Sequence, residues 1–153
     1  MTPNKRTISI QVVNHTGVLT RVAGLFSRRG FNIDSIAVGR TEDPNISRMT
    51  IVVEADQATG EQLSKQLNKL VDTIKVSDVT DDATVARELS MIKVSADSSN
   101  RSEILQIVSI FRAKIIDVSE RAVIIEVTGD ESKVTALIEL LRPYGIKELV
   151  RTG

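Results

Sequence analysis

The hydrophobic pattern of this chain runs through one series twice: strand, helix, strand, strand, helix, strand. Period-two alternation marks strands near Thr7–Val13, Ile33–Arg40, Ser47–Glu54 and Thr73–Val79, with Met49, Ile51 and Val53 the clearest case. Between them, Val18, Leu19, Val22, Leu25 and Phe26 recur at helical spacing from Gly17. Leu63, Leu67, Leu70 and Val71 stripe a second helix, with Glu61 and Lys65 at i, i+4 on its outside. Asp43-Pro44-Asn45 reads as a hairpin loop. After the polar stretch Asp81-Asp82-Ala83-Thr84 the series begins again. Its strands fall at Met91–Ala96, Lys114–Ser119, Ala122–Thr128 and Ile146–Val150. One helix is striped by Ile104, Ile107, Val108 and Phe111, and Asn100 with Glu103 has the spacing of a capping box before it. Val134, Leu137, Ile138 and Leu141 stripe the last helix, which Pro143 and Gly145 stop.

A βαββαβ unit closes naturally as a four-stranded antiparallel sheet with both helices on one face, the ferredoxin-like arrangement. The expected class is therefore α+β, with two tandem ferredoxin-like domains at 1–80 and 81–153. Units of only ~75 residues leave one sheet face and the sheet edges uncovered, a liability best met by pairing between units or chains. At least a dimer is expected.

Composition narrows the function classes. Lys plus Arg number 20 and Asp plus Glu number 20, so no basic excess is present to neutralise nucleic-acid phosphates. An RNA-binding module of the same topology stacks bases on aromatics of its central strands. Thr7–Val13 and Ser47–Glu54 contain none. Cys is absent, which removes disulfides, thiol chemistry and Cys-based metal sites. The lone histidine, His15, lacks a metal-ligating constellation and reads as a solvated loop residue. Asp81-Asp82 and Asp130-Glu131 read as solvated or helix-opening acids rather than acid–base pairs. Glycines 17, 24 and 30 match neither a phosphate-binding loop nor a dinucleotide fingerprint. An autonomous enzyme has no candidate residues here. With no apolar run near ~20 residues and a strand starting almost at once, the expectation is a cytoplasmic protein without membrane span or leader.

One segment invites a ligand. A strand runs into Asn14-His15-Thr16 and a helix opens at Gly17. A helix opening offers unpaired N–H groups and partial positive charge, and Gly17 keeps side-chain bulk away from them. Asn14 adds an amide that both donates and accepts. The combination suits a small amphoteric molecule such as an amino acid.

The segments NHTGVLTRVAGLFSRRGFNIDSIAVG (14–39), ISRMTIVV (46–53), LNKLVDTIKV (67–76) and FRAKIIDVS (111–119) carry a resemblance to a known family. The chain resembles the ACT domain family of amino-acid-binding regulatory modules and, within it, the small regulatory subunits of acetolactate synthase. The resemblance spans nearly the whole chain. It departs at Arg151-Thr152-Gly153, where the family usually runs on for several more residues.

The resemblance implies a non-catalytic subunit that activates a separate large catalytic subunit. The cofactors thiamine diphosphate, magnesium and FAD are then expected on that partner and none on this chain. It also implies a homodimer through the N-terminal ACT domain and feedback inhibition by valine or another branched-chain amino acid. The implied effector contacts are Asn14, Gly17, Val18 and Leu19 of one chain, with Asn32 and Ile33 from its partner. A free-standing amino-acid-sensing ACT protein controlling another enzyme or regulator is the alternative.

Overall fold

The computed structural model describes residues 4–153; the expectation of no leader falls partly on residues 1–3, outside the described residues. The first unit contains β1 (Lys5–Val13), α1 (Val18–Arg28), β2 (Ile33–Arg40), β3 (Ile46–Glu54), α2 (Gln57–Asn68) and β4 (Thr73–Asp78). The second contains β5 (Glu88–Ser95), α3 (Arg101–Ile110), β6 (Lys114–Val118), β7 (Ala122–Gly129), α4 (Glu131–Leu141) and β8 (Ile146–Arg151). Their sheets are antiparallel, ordered β2-β3-β1-β4 and β6-β7-β5-β8. Both are the expected βαββαβ arrangement. The division between units falls after Thr84 rather than at 80. The chain beyond β4 is still tied to β1, because Val79 N–H donates to the Thr7 carbonyl and Thr7 N–H to Thr80 Oγ1, each at 2.9 Å.

Each unit has its own core. In the first, Ile8, Ile10, Met49 and Ile51 on the central strands lie beneath Val22 and Phe26 of α1 and Leu63 and Leu67 of α2. The alternating strand positions and the helical stripes thus meet face to face. Each such side chain contributes roughly 1.5–3 kcal/mol on burial. The second core repeats the pattern with Ile92, Val94, Ile125, Ile104, Val134 and Leu137.

Three local expectations are corrected. Val71 is not on the α2 stripe: it is 90% exposed, because the helix ends at Asn68 and the chain turns. Leu70 N–H donates to the Leu67 carbonyl at 3.2 Å and Thr73 Oγ1 to the same oxygen at 2.8 Å, closing that turn. Leu19 lies off the α1 stripe, 48% exposed. The capping box does not form. Asn100 Oδ1 accepts from the Asp97 N–H (2.8 Å) and Glu103 from the Tyr144 hydroxyl (2.9 Å), so both groups are engaged elsewhere.

The outermost strand β2 bears on the site. Its pairing with β3 sets Ile36 opposite Ile51 and Val38 opposite Met49, on the helix side of the sheet. They remain 36% and 47% exposed at the edge of the sheet.

Candidate functional site

The connection from β1 to α1 is held at both sides. Asn14 N–H donates to the Asn45 carbonyl (2.7 Å) and its side-chain Nδ2 to the Pro44 carbonyl (2.9 Å), locking it to the β2–β3 hairpin. Its amide therefore keeps the carbonyl oxygen as its main offer to a ligand. Gly17 is the N-cap of α1 at φ +89°, a left-handed conformation that favours glycine, and no side chain caps the helix. Val18 turns its side chain into the core, so it offers only its backbone N–H. Leu19 stands half-exposed beside it.

His15 is not simply solvated. Its Nε2 lies 2.9 Å from Asp72 Oδ1, while Arg21 Nε donates to Asp72 Oδ2 at 2.6 Å. The Asp72 side chain is only 8% exposed, and its backbone carbonyl accepts from Val13 N–H at 2.9 Å. One residue, just before β4, thus staples the end of β1 through its carbonyl, and the turn and the first turn of α1 through its carboxylate. The Arg21 hydrogen bond holds the Asp72 carboxyl below the usual carboxylate range against desolvation, helped by the charges of Arg21 and His15. Sequence reasoning missed Asp72 and Arg21; their only signal was that both fall in the segments carrying the family resemblance.

The other two expected site residues lie elsewhere in the chain. Asn32 is exposed just before β2, and Ile33 opens that strand, partly buried against the first core. Val13 pairs with Ile46 whereas Ile33 pairs with Val53, so the two halves sit at opposite ends of β3, roughly 24 Å apart. The fold of one chain brings Asn14, Gly17, Val18 and Leu19 together and leaves Asn32 and Ile33 apart from them.

Two surface concavities occur in the first unit. One of about 500 Å³ is lined by Arg29, Gln62, Lys65, Gln66, Asn68 and Lys69, and one of about 250 Å³ by Ser9, Gln11, Arg48, Lys75, Ser77 and Val79. Neither includes an expected site residue. Among the described residues no group of three or more His, Cys, Asp or Glu side chains is placed to hold a metal ion. No described helix is long and apolar enough to cross a membrane.

A family model described as the AHAS small subunit-like ACT domain matches residues 8–75. A second, described as the small subunit of acetolactate synthase, matches residues 87–153. The chain is 60% identical to a probable acetolactate synthase small subunit of Archaeoglobus fulgidus, over 97% of this chain and 93% of the relative. The chain belongs to the acetolactate synthase small-subunit family. It is also 51% identical to the acetolactate synthase small subunit of Bacillus subtilis, over 97% of this chain and 87% of that relative. The crystal structure of the acetolactate synthase small subunit from Thermotoga maritima superposes with a TM-score of 0.89 at 47% identity, covering 98% of this chain and 94% of that one. Membership places the chain with the small, non-catalytic subunits of acetolactate synthase, and the ACT domain with residues 8–75.

Proposed function

We propose that this chain activates the large catalytic subunit of acetolactate synthase and confers inhibition by valine or another branched-chain amino acid. The observation that carries the reading is the uncapped, glycine-opened helix beside Asn14 in a chain of this family. Helix N–H groups receive the effector carboxylate, Asn14 Oδ1 accepts from its ammonium group, and Leu19 lies against its side chain. Thiamine diphosphate, magnesium and FAD belong to the large subunit, this chain carries no cofactor, and the pair works in the cytoplasm.

The chain acts as a homodimer through its first unit. β2 has a free edge eight residues long with Ile36 and Val38 exposed beside it, which invites pairing with a second copy. Two β2 strands set antiparallel about a two-fold axis bring Ile33 of one chain opposite Arg40 of the other. Arg40 pairs with Ser47, at the Asn14 end of the sheet, since Ser47 also pairs with Val12. Asn32 and Ile33 of the partner then complete the half-site at Asn14 and Gly17, and the effector bridges two chains.

Reconstitution with the cognate large subunit tests the proposal. The mixture is expected to condense pyruvate faster than the large subunit alone and to become sensitive to valine, leucine or isoleucine. Turnover by this chain alone, or no stimulation of its partner, would defeat it.

A further inference from the structure

We infer that Arg21 and Asp72 belong to the effector site: Asp72 holds the Arg21 guanidinium beside Gly17, where its unengaged nitrogens receive the ligand carboxylate. The inference rests on the effector reading above and adds to it the pair that fixes the ligand's charge.

The first support is position. Arg21 folds back along α1 so that Nη1 lies 2.9 Å from where a Cβ on Gly17 would sit. Nε is bonded to Asp72, whereas Nη1 and Nη2 have no hydrogen-bond acceptor among the described residues. A guanidinium with free donors is a carboxylate receptor by its planar fork geometry.

The second support is electrostatic. A cation at a helix opening meets the positive end of the helix dipole and is disfavoured there. Asp72 compensates the Arg21 charge from the Nε side, while the uncapped helix N–H groups at Gly17 keep the opening partly positive. An incoming carboxylate therefore meets a local field already biased towards anions.

The third support comes from the repeat within the chain. Val13 N–H to the Asp72 carbonyl is matched by Ser95 N–H to Gly145, and Asn14 N–H to Asn45 by Ala96 N–H to Arg121. Asp72 thus corresponds to Gly145 and Asn14 to Ala96. By the same spacing that pairs Asn14 with Ala96 and the helix-end residue Gly30 with Arg112, Arg21 corresponds to Glu103, which accepts from the Tyr144 hydroxyl at 2.9 Å. The second unit builds the same sheet and helices with a tyrosine–carboxylate hydrogen bond there and no ion pair, so the fold does not require the ion pair. A nearly buried carboxylate carries a desolvation cost that the other unit avoids. Its retention beside Gly17 alone points to the ligand.

Calorimetric titration of the full chain with valine and with valinamide, which keeps the ammonium group and side chain but lacks the carboxylate, tests this. Wild-type protein is expected to prefer valine by roughly tenfold or more, the worth of a hydrogen bond to a charged group. Arg21→Gln should lower that ratio several-fold by weakening valine alone, the helix N–H groups keeping the remainder, and Asp72→Asn should lower it by releasing Arg21. The double variant leaves no orphaned charge, so it should fold with the ratio lowered as in Arg21→Gln; a melting curve for each variant checks the fold. An undiminished ratio in folded Arg21→Gln or in the double variant overturns the inference and leaves the effector reading standing. Absence of binding by wild-type protein to valine, leucine and isoleucine overturns both.

Discussion

Gly17 combines a left-handed backbone with the closest approach to Arg21, and a substitution there tests both at once. In Gly17→Asp the new carboxylate reaches the Arg21 guanidinium and occupies the place proposed for the effector's own. The backbone conformation costs an ordinary residue about 1–2 kcal/mol. The variant is expected to fold with slightly lower stability and to lose its valine response; retained inhibition in the reconstituted enzyme would put the effector elsewhere. Asp72 gives the site an acid limit. Its carboxyl titrates below the ordinary value of about 3.9, so its contribution is complete above that pH and fades as the pH falls through its folded value. Denaturant midpoints should hold from neutrality to about pH 5 and then drop, and Asp72→Asn should flatten part of the drop. Identical acid profiles for the two proteins would remove Asp72 from that account. Asn14 and Gly17 were legible because they adjoin one another in the chain. Asp72 was not, since it lies 51 residues beyond Arg21 and reads alone as one more turn aspartate.

Helices α1 and α3 end in the same way, on residues of different cost. Gly30 N–H donates to Ser27 and Phe31 N–H to Phe26; in the second unit Arg112 N–H donates to Ser109 and Ala113 N–H to Val108. Both are Schellman closures with a left-handed residue, Gly30 at φ +72° and Arg112 at φ +52°. Glycine suits that conformation, and an ordinary residue is disfavoured in it by about 1–2 kcal/mol, partly offset by glycine's greater unfolded entropy. Arg112→Gly should therefore raise stability by about 0.5 kcal/mol, read as a higher denaturant midpoint with an unchanged slope. A lower midpoint would show that the Arg112 side chain matters more than its backbone. Element order was legible because the stripes and alternations are long. Ends were less so, as Val71 and the Asn100–Glu103 pair show, because a helix end is decided by where single polar groups find partners. One rung was hidden altogether. Arg6 pairs with Asp78 at 2.8 Å in the first unit, and Glu88 with Arg151 at 2.6 Å in the second. The registers make these equivalent positions with the charges exchanged, so an alignment by residue type misses the shared ion pair.

Two units in one chain do not complete the proposed effector site, because Asn32 and Ile33 lie far from Asn14 in the first unit and the second unit lacks the receptor residues. A second chain is the simplest source, and β2 supplies the free edge for it. Ligand that binds the dimer but not the separated chain stabilises the dimer by mass action. Valine should tighten self-association and raise the melting temperature, and Asn32→Ala should weaken both by roughly 1 kcal/mol or more per site, as for a lost hydrogen bond to a charged group. A mixed dimer of one Asn14→Ala chain and one Asn32→Ala chain separates the geometries. If each site takes Asn14 from one chain and Asn32 from the other, one of the two sites is whole and the other lacks both groups. If each site is built within one chain, both are singly damaged. Calorimetry of that mixed dimer should find one site of wild-type affinity and one that barely binds. Two equal, weakened sites would rule out a ligand that bridges the chains.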